Sequence, residues 1–142
     1  EDEKQVAMTR PSASANAASI PGITSSSWPV TPGVSAPVES PNPFWGLYAA
    51  VTRRRADGSP SADGWYPEQK LTMAEAWAGF SLGPAYAAGM EIRLGRLAPN
   101  YLADLIVLDA SQDPFTCLPE DLLAMQSSAT MVGGEWVYET AA

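Results

Sequence analysis

Apolar residues recur at helical spacing twice along this chain. Phe44, Leu47, Tyr48 and Val51 fall on one face, and Asn42-Pro43 just ahead supplies a cap and a proline suited to the first helical position. This predicts a helix ending near Arg54. The second stripe is Met73, Ala76, Trp77 and Phe80. It opens on Thr72-Met73-Ala74-Glu75, where the threonine can serve the free N–H groups of the first turn and Glu75 can reach back. Gly83-Pro84 is expected to break that helix, leaving residues 85–88 as a short second helical piece that ends at Gly89.

From Leu94 onward the pattern turns to strand. The run of residues 103–109 is apolar without alternation, which predicts a strand buried on both faces. Residues 119–125 read as a short helix with proline first and acids in its first turn. Residues 129–132 and 135–138 flank Gly133-Gly134, a strong hairpin signal. Between the helices, residues 57–64 hold two Asp-Gly pairs and read as a surface loop in which Asp57 and Asp63 form turns. Residues 1–42 are rich in Ser, Ala and Pro. A short strand fits near residues 20–26, but Pro29, Pro32, Pro37, Pro41 and Pro43 forbid a long helix or a central strand.

Composition narrows the chemistry. The chain has 142 residues, 46% apolar and 17% charged, enough for one modest domain with a real core. No apolar run approaches the ~18 residues of a membrane span, and the start, EDEKQVAMTR, lacks the marks of a secretory signal. Cytoplasmic residence is the expectation. The net charge of -8 argues against nucleic-acid and anionic-membrane partners. The one basic cluster, Arg53-Arg54-Arg55, falls at a predicted helix end, where cations favour the helix dipole. A single cysteine, Cys117, excludes an intrachain disulfide. The absence of histidine removes the usual general base, the commonest transition-metal ligand and every Ser-His-Asp triad.

Few side chains remain as candidates. Asp104 and Asp109 bracket the predicted strand and could hold a cation, although acids at strand ends more commonly fix turns. Trp28, Trp45, Trp65, Tyr66 and Trp77 could line an apolar pocket or pack in the core and at its rim. Ser27 and Ser35 could act as nucleophiles only beside a base, and Lys4 and Lys70 have no visible link to them. Cys117 reads as a small buried or half-buried side chain.

Four blocks, in order, carry a resemblance: PFWGLYAAVTR at 43–53, GWYPEQKLT at 64–72, LADLIVLD at 102–109 and MVGGEWVY at 131–138. Together they resemble the C-terminal quarter of the amidohydrolase family 3 enzymes, long-chain members of the metal-dependent amidohydrolase superfamily. The resemblance implies a fold between α/β and α+β, combining the end of a TIM barrel with part of a small β-sandwich. Residues 1–93 would be the end of the barrel: its last strand, a proline-rich loop and outer helices. Residues 94–142 would be the C-terminal part of the sandwich. The implied activity is metal-dependent hydrolysis of carbon–nitrogen bonds in amides, formamides and related small molecules.

In that family the metals sit mainly on histidines of earlier barrel strands. The last strand ends in Ser-Asp-x-Pro-Val, whose aspartate binds metal and takes a proton from the attacking water. Two places match here: Ser26-Ser27-Trp28-Pro29-Val30 puts Ser27 at the aspartate, and Val34-Ser35-Ala36-Pro37-Val38 puts Ser35 there. Neither supplies a carboxylate, and a neutral hydroxyl is a poor proton acceptor and a weak ligand. Glu39 could replace it only by a shift of the loop. Asn100 stands where the family has a glycine, at a turn whose left-handed conformation asparagine tolerates. The resemblance therefore implies a C-terminal fragment or subunit of a hydrolase, inactive alone, with a divalent, zinc-like metal only in the complete enzyme and none held by this chain. A non-catalytic remnant or accessory subunit is the alternative. The expected partner is a second copy or the histidine-bearing barrel segment, with a small-molecule amide as substrate only once the barrel is complete.

Overall fold

The structure is a computed structural model that describes residues 5–6, 40–109 and 111–140. Its first helix, α1 (Pro43–Thr52), forms for the reasons its sequence gives. The Asn42 side chain accepts the Phe44 N–H at 3.0 Å, and Phe44, Leu47 and Tyr48 are buried on one face. Arg53 closes the helix in the left-handed conformation, with its N–H on the Ala49 carbonyl. The loop that follows turns on Asp57, whose carboxylate accepts the Ser59 N–H at 2.9 Å, and includes one 3-10 turn at Pro67–Gln69.

The second helix, α2 (Met73–Ala87), opens on the expected capping box. Thr72 Oγ1 accepts the Glu75 N–H at 3.3 Å and Glu75 Oε2 accepts the Thr72 N–H at 2.8 Å. The expected break at Gly83-Pro84 does not occur, and residues 85–87 continue the same helix with Pro84 inside it. The proline removes one donor and crowds only the turn before it. The turn after it is held from outside: the Met90 N–H reaches the Ala85 carbonyl at 2.8 Å, and Gly95 lies against Ser81 and Ala85. Asn100 takes the expected left-handed conformation, with φ of 72°.

Strands β1 (Gln5–Val6), β2 (Leu105–Leu108), β3 (Ser127–Val132) and β4 (Glu135–Glu139) form one antiparallel sheet in that order. The hairpin turn is Gly133-Gly134, both with positive φ, as the tight two-residue turn between twisted strands requires. Strand β2 is buried on both faces only in its second half. Val107 and Leu108 are buried while Leu105 and Ile106 are half-buried; Leu108 lies in the core and Ile106 packs at its margin. The short helix expected at residues 119–125 is present, and Pro119–Ala124 wind as a 3-10 helix. The Asp121 carboxylate accepts the Leu118 N–H at 3.1 Å, and the tight i to i+3 bonds suit so short a segment.

The core brings the two halves of the chain together. Phe44, Leu47, Tyr48, Ala76 and Trp77 come from the helices, and Leu108, Leu122 and Met125 from the later segments. The Trp77 ring also stands 5.5 Å from that of Phe115, tilted by 52°. The described residues are thus a small α/β unit: two helices and two short 3-10 segments against an antiparallel sheet. Strand β4 lies at the sheet edge with all five residues exposed. Among the described residues, no helix is long and apolar enough to cross a membrane.

Candidate functional site

Ser27, Ser35, Trp28 and Glu39, the residues nearest to the catalytic position implied by the sequence, lie outside the described residues, as do Lys4 and the strand expected near residues 20–26. Past that segment the description resumes at Ser40, whose hydroxyl accepts the Asn42 N–H at 3.3 Å. The approach to α1 is therefore an ordered cap.

The acids that are described serve turns and caps. Asp104 reaches across the sheet to accept the Gly133 N–H at 2.7 Å, which pins the hairpin to the start of β2. At the other end of that strand, Asp109 accepts the Ser111 N–H at 2.8 Å and its hydroxyl at 2.6 Å. The turn-forming reading of both holds. Asp57 does the same for Ser59.

These bonds favour the charged form. The Ser111 hydroxyl and then its N–H hold the Asp109 carboxyl below its ordinary range. The Ser59 N–H and hydroxyl do so for Asp57. The Thr72 hydroxyl and N–H do so for Glu75. Glu120 is lowered by its own N–H and then by Arg54, whose guanidinium pairs with it at 2.7 Å. A carboxyl whose folded pKa lies below its unfolded value stabilises the fold above the unfolded pKa. That stability is lost as pH falls through the carboxylate range. Thermal midpoints in ~0.15 M salt, where self-repulsion of the negative chain is screened, are expected to be flat from about pH 8 to 6. Below about pH 5 they are expected to fall. A midpoint that rises on acidification contradicts this reading.

Among the described residues, the aromatic side chains do not converge on a pocket. Trp77 is core, whereas Trp45, Trp65 and Tyr66 are exposed. Trp65 and Tyr66 pack on each other at 5.1 Å, and the Arg53 guanidinium lies 6.0 Å from the Trp65 ring. Trp45 Nε1 donates to the Leu123 carbonyl at 3.1 Å. Core and rim packing is what these rings do. One cavity, about 260 Å³, opens between the end of α2 and the Leu94–Arg96 turn, lined by Phe80, Pro84, Ala85, Arg96 and Asp104 among others. Nothing in the sequence pattern pointed to it, because its walls meet only through the return of the chain after Gly89.

Cys117 is half-buried. Burial, and then the charge of Asp121, push its thiol up, so it stays protonated at neutral pH and is no nucleophile.

A metal of the transition series fits poorly here. The chain contains no histidine, and among the described residues no three His, Cys, Asp or Glu side chains gather as a ligand set. No catalytic step is therefore routed through a metal on these residues.

Comparison with known proteins gives the family. The family model described as amidohydrolase family matches residues 5–138. The YtcJ protein of Bacillus subtilis (strain 168) is 31% identical over 107 residues, which cover 75% of this chain and 20% of that protein. The N-substituted formamide deformylase of Arthrobacter pascens is 31% identical over 93 residues, 66% of this chain and 16% of that enzyme. The chain thus spans a fifth or less of the length of these curated relatives. Among solved structures, an amidohydrolase from Thermotoga maritima MSB8 aligns over 52% of this chain and 17% of its own, with a TM-score of 0.42 and 22% identity.

Proposed function

The chain belongs to the amidohydrolase family, and from that premise we propose that it is the C-terminal portion of a metal-dependent hydrolase acting on amide-type carbon–nitrogen bonds. The family match over residues 5–138 carries the proposal. In this reading α1 and α2 are outer helices at the end of a barrel, and β2 to β4 belong to its companion sandwich. Histidines on barrel segments outside this sequence hold the divalent, zinc-like metal. Small amides or formamides are the substrate class, in keeping with the formamide deformylase among the relatives.

On this proposal the chain shapes and supports the enzyme but does no chemistry alone. Ser27 or Ser35 stands where the family's metal-binding aspartate belongs, and a hydroxyl near its ordinary pKa neither ligates nor accepts a proton well at pH 7. The exposed Trp136, Val137 and Tyr138 on the edge strand, with Val132 beside them, support the proposal that the barrel segment or a second copy covers this end. Monomeric proteins seldom leave such a row of apolar side chains on an open edge.

The test is turnover by the purified 142-residue chain. N-substituted formamides and simple amides, with zinc or manganese present, are expected to show no hydrolysis above buffer. Metal-dependent turnover that survives removal of trace contaminants overturns the inactivity of the chain.

A further inference from the structure

We infer that the carboxylates at the described turns, caps and hairpin serve this chain's own backbone, and that the described fold neither needs nor gains from the divalent metal that its family uses. The family is generally metal-dependent, so a carboxylate-rich member with 16 Asp and Glu is a natural place to look for ligands. The geometry points the other way.

Five carboxylates each accept an N–H within three residues along the chain. Asp57 and Asp109 hold Ser59 and Ser111, as described above. Glu75 holds Thr72, Asp113 holds Phe115 at 2.9 Å and Asp121 holds Leu118. The sixth, Asp104, bridges 29 residues to Gly133. These bonds occupy separate turns, caps and one hairpin. A hard cation needs several oxygens converging on one point, and these carboxylates, each held by a backbone donor at its own turn, cap or hairpin, do not converge.

The one pair that the sequence offers as a cation site fails on distance. Asp104 and Asp109 stand at opposite ends of β2, five residues apart, which at ~3.3 Å per residue is roughly 16 Å. No ion bridges that span.

Thermal unfolding of the 142-residue chain at neutral pH tests this. Midpoints with EDTA, with no addition and with about tenfold excess zinc or manganese are expected to agree within about 1 °C, since a ligand without a native-state site shifts nothing. Asp104→Ala is expected to lower the midpoint by about 4–8 °C in all of these buffers. Asp104→Asn keeps a side-chain oxygen for Gly133 and is expected to recover most of that loss. A midpoint that drops with EDTA or rises by several degrees with metal overturns the inference. So does a transition seen only with metal, or an Asp104→Ala loss that metal reverses.

Discussion

Trp77→Ala is expected to remove about 3–5 kcal/mol of unfolding free energy, a large part of the ~5–15 kcal/mol that holds a small domain together. Trp77 is 8% exposed and stands where the two halves of the chain meet. Its helix packs against α1, and its ring tilts against Phe115 from the segment after β2. Beside it, Leu108 and Leu122 are fully buried. Truncation leaves a cavity whose walls belong to different elements, so no single side chain can collapse into it. Because the core draws on residues from Phe44 to Met125, the loss is expected as one transition, seen alike by far-ultraviolet and near-ultraviolet circular dichroism in urea. A loss under about 1 kcal/mol, or two separate transitions, would show that helices and sheet do not share this core.

Gly95→Ala is expected to cost roughly 2–5 kcal/mol, from about 1–2 for a left-handed alanine and about 1–3 for overlap in a packed contact. Gly95 has φ of 87°. A Cβ there would come within 2.9 Å of the Ser81 carbonyl oxygen and 3.0 Å of the Ala85 Cβ. Neither is the free end of a flexible side chain, so either the turn or the end of α2 must move. The same contact explains why α2 survives Pro84. Gly95→Ala is therefore also expected to fray residues 85–87, read as loss of helical circular dichroism and faster amide exchange there. An alanine variant with wild-type stability would mean that the return loop does not brace the helix.

What the sequence disclosed was local. Asn42-Pro43, Thr72 with Glu75, Gly133-Gly134 and Asn100 each specify a cap or turn through groups a few residues apart, and each does so in the structure. What it hid depends on contacts made later in the chain. Pro84 reads as a helix breaker because its rescue comes from Met90 and Gly95. The apolar run of β2 reads as evenly buried because nothing within it says which of its residues reach the core. The pattern of residues 119–125 reads as a short helix without saying that Pro119–Ala124 wind as 3-10.

The chemistry was legible in a different way. Its most informative feature is compositional, the lack of histidine, and the family resemblance of four ordered blocks agrees with the family match. The candidate serines lie outside the described residues, so their geometry plays no part in the functional reading. Asp104, which with Asp109 could have held a cation, is instead the latch of a hairpin. Its partner Gly133 lies 29 residues away, too far for local pattern to pair them.

Native mass spectrometry of the protein purified from its own source tests the central proposal most directly. The expected result is this sequence carried with a histidine-bearing barrel segment, in one polypeptide or two, with divalent metal bound and a mass well above the 15.0 kDa of these residues. A metal-free species built only from 15.0 kDa chains would contradict it. The chain would then be an accessory or remnant protein of the family, without a catalytic half.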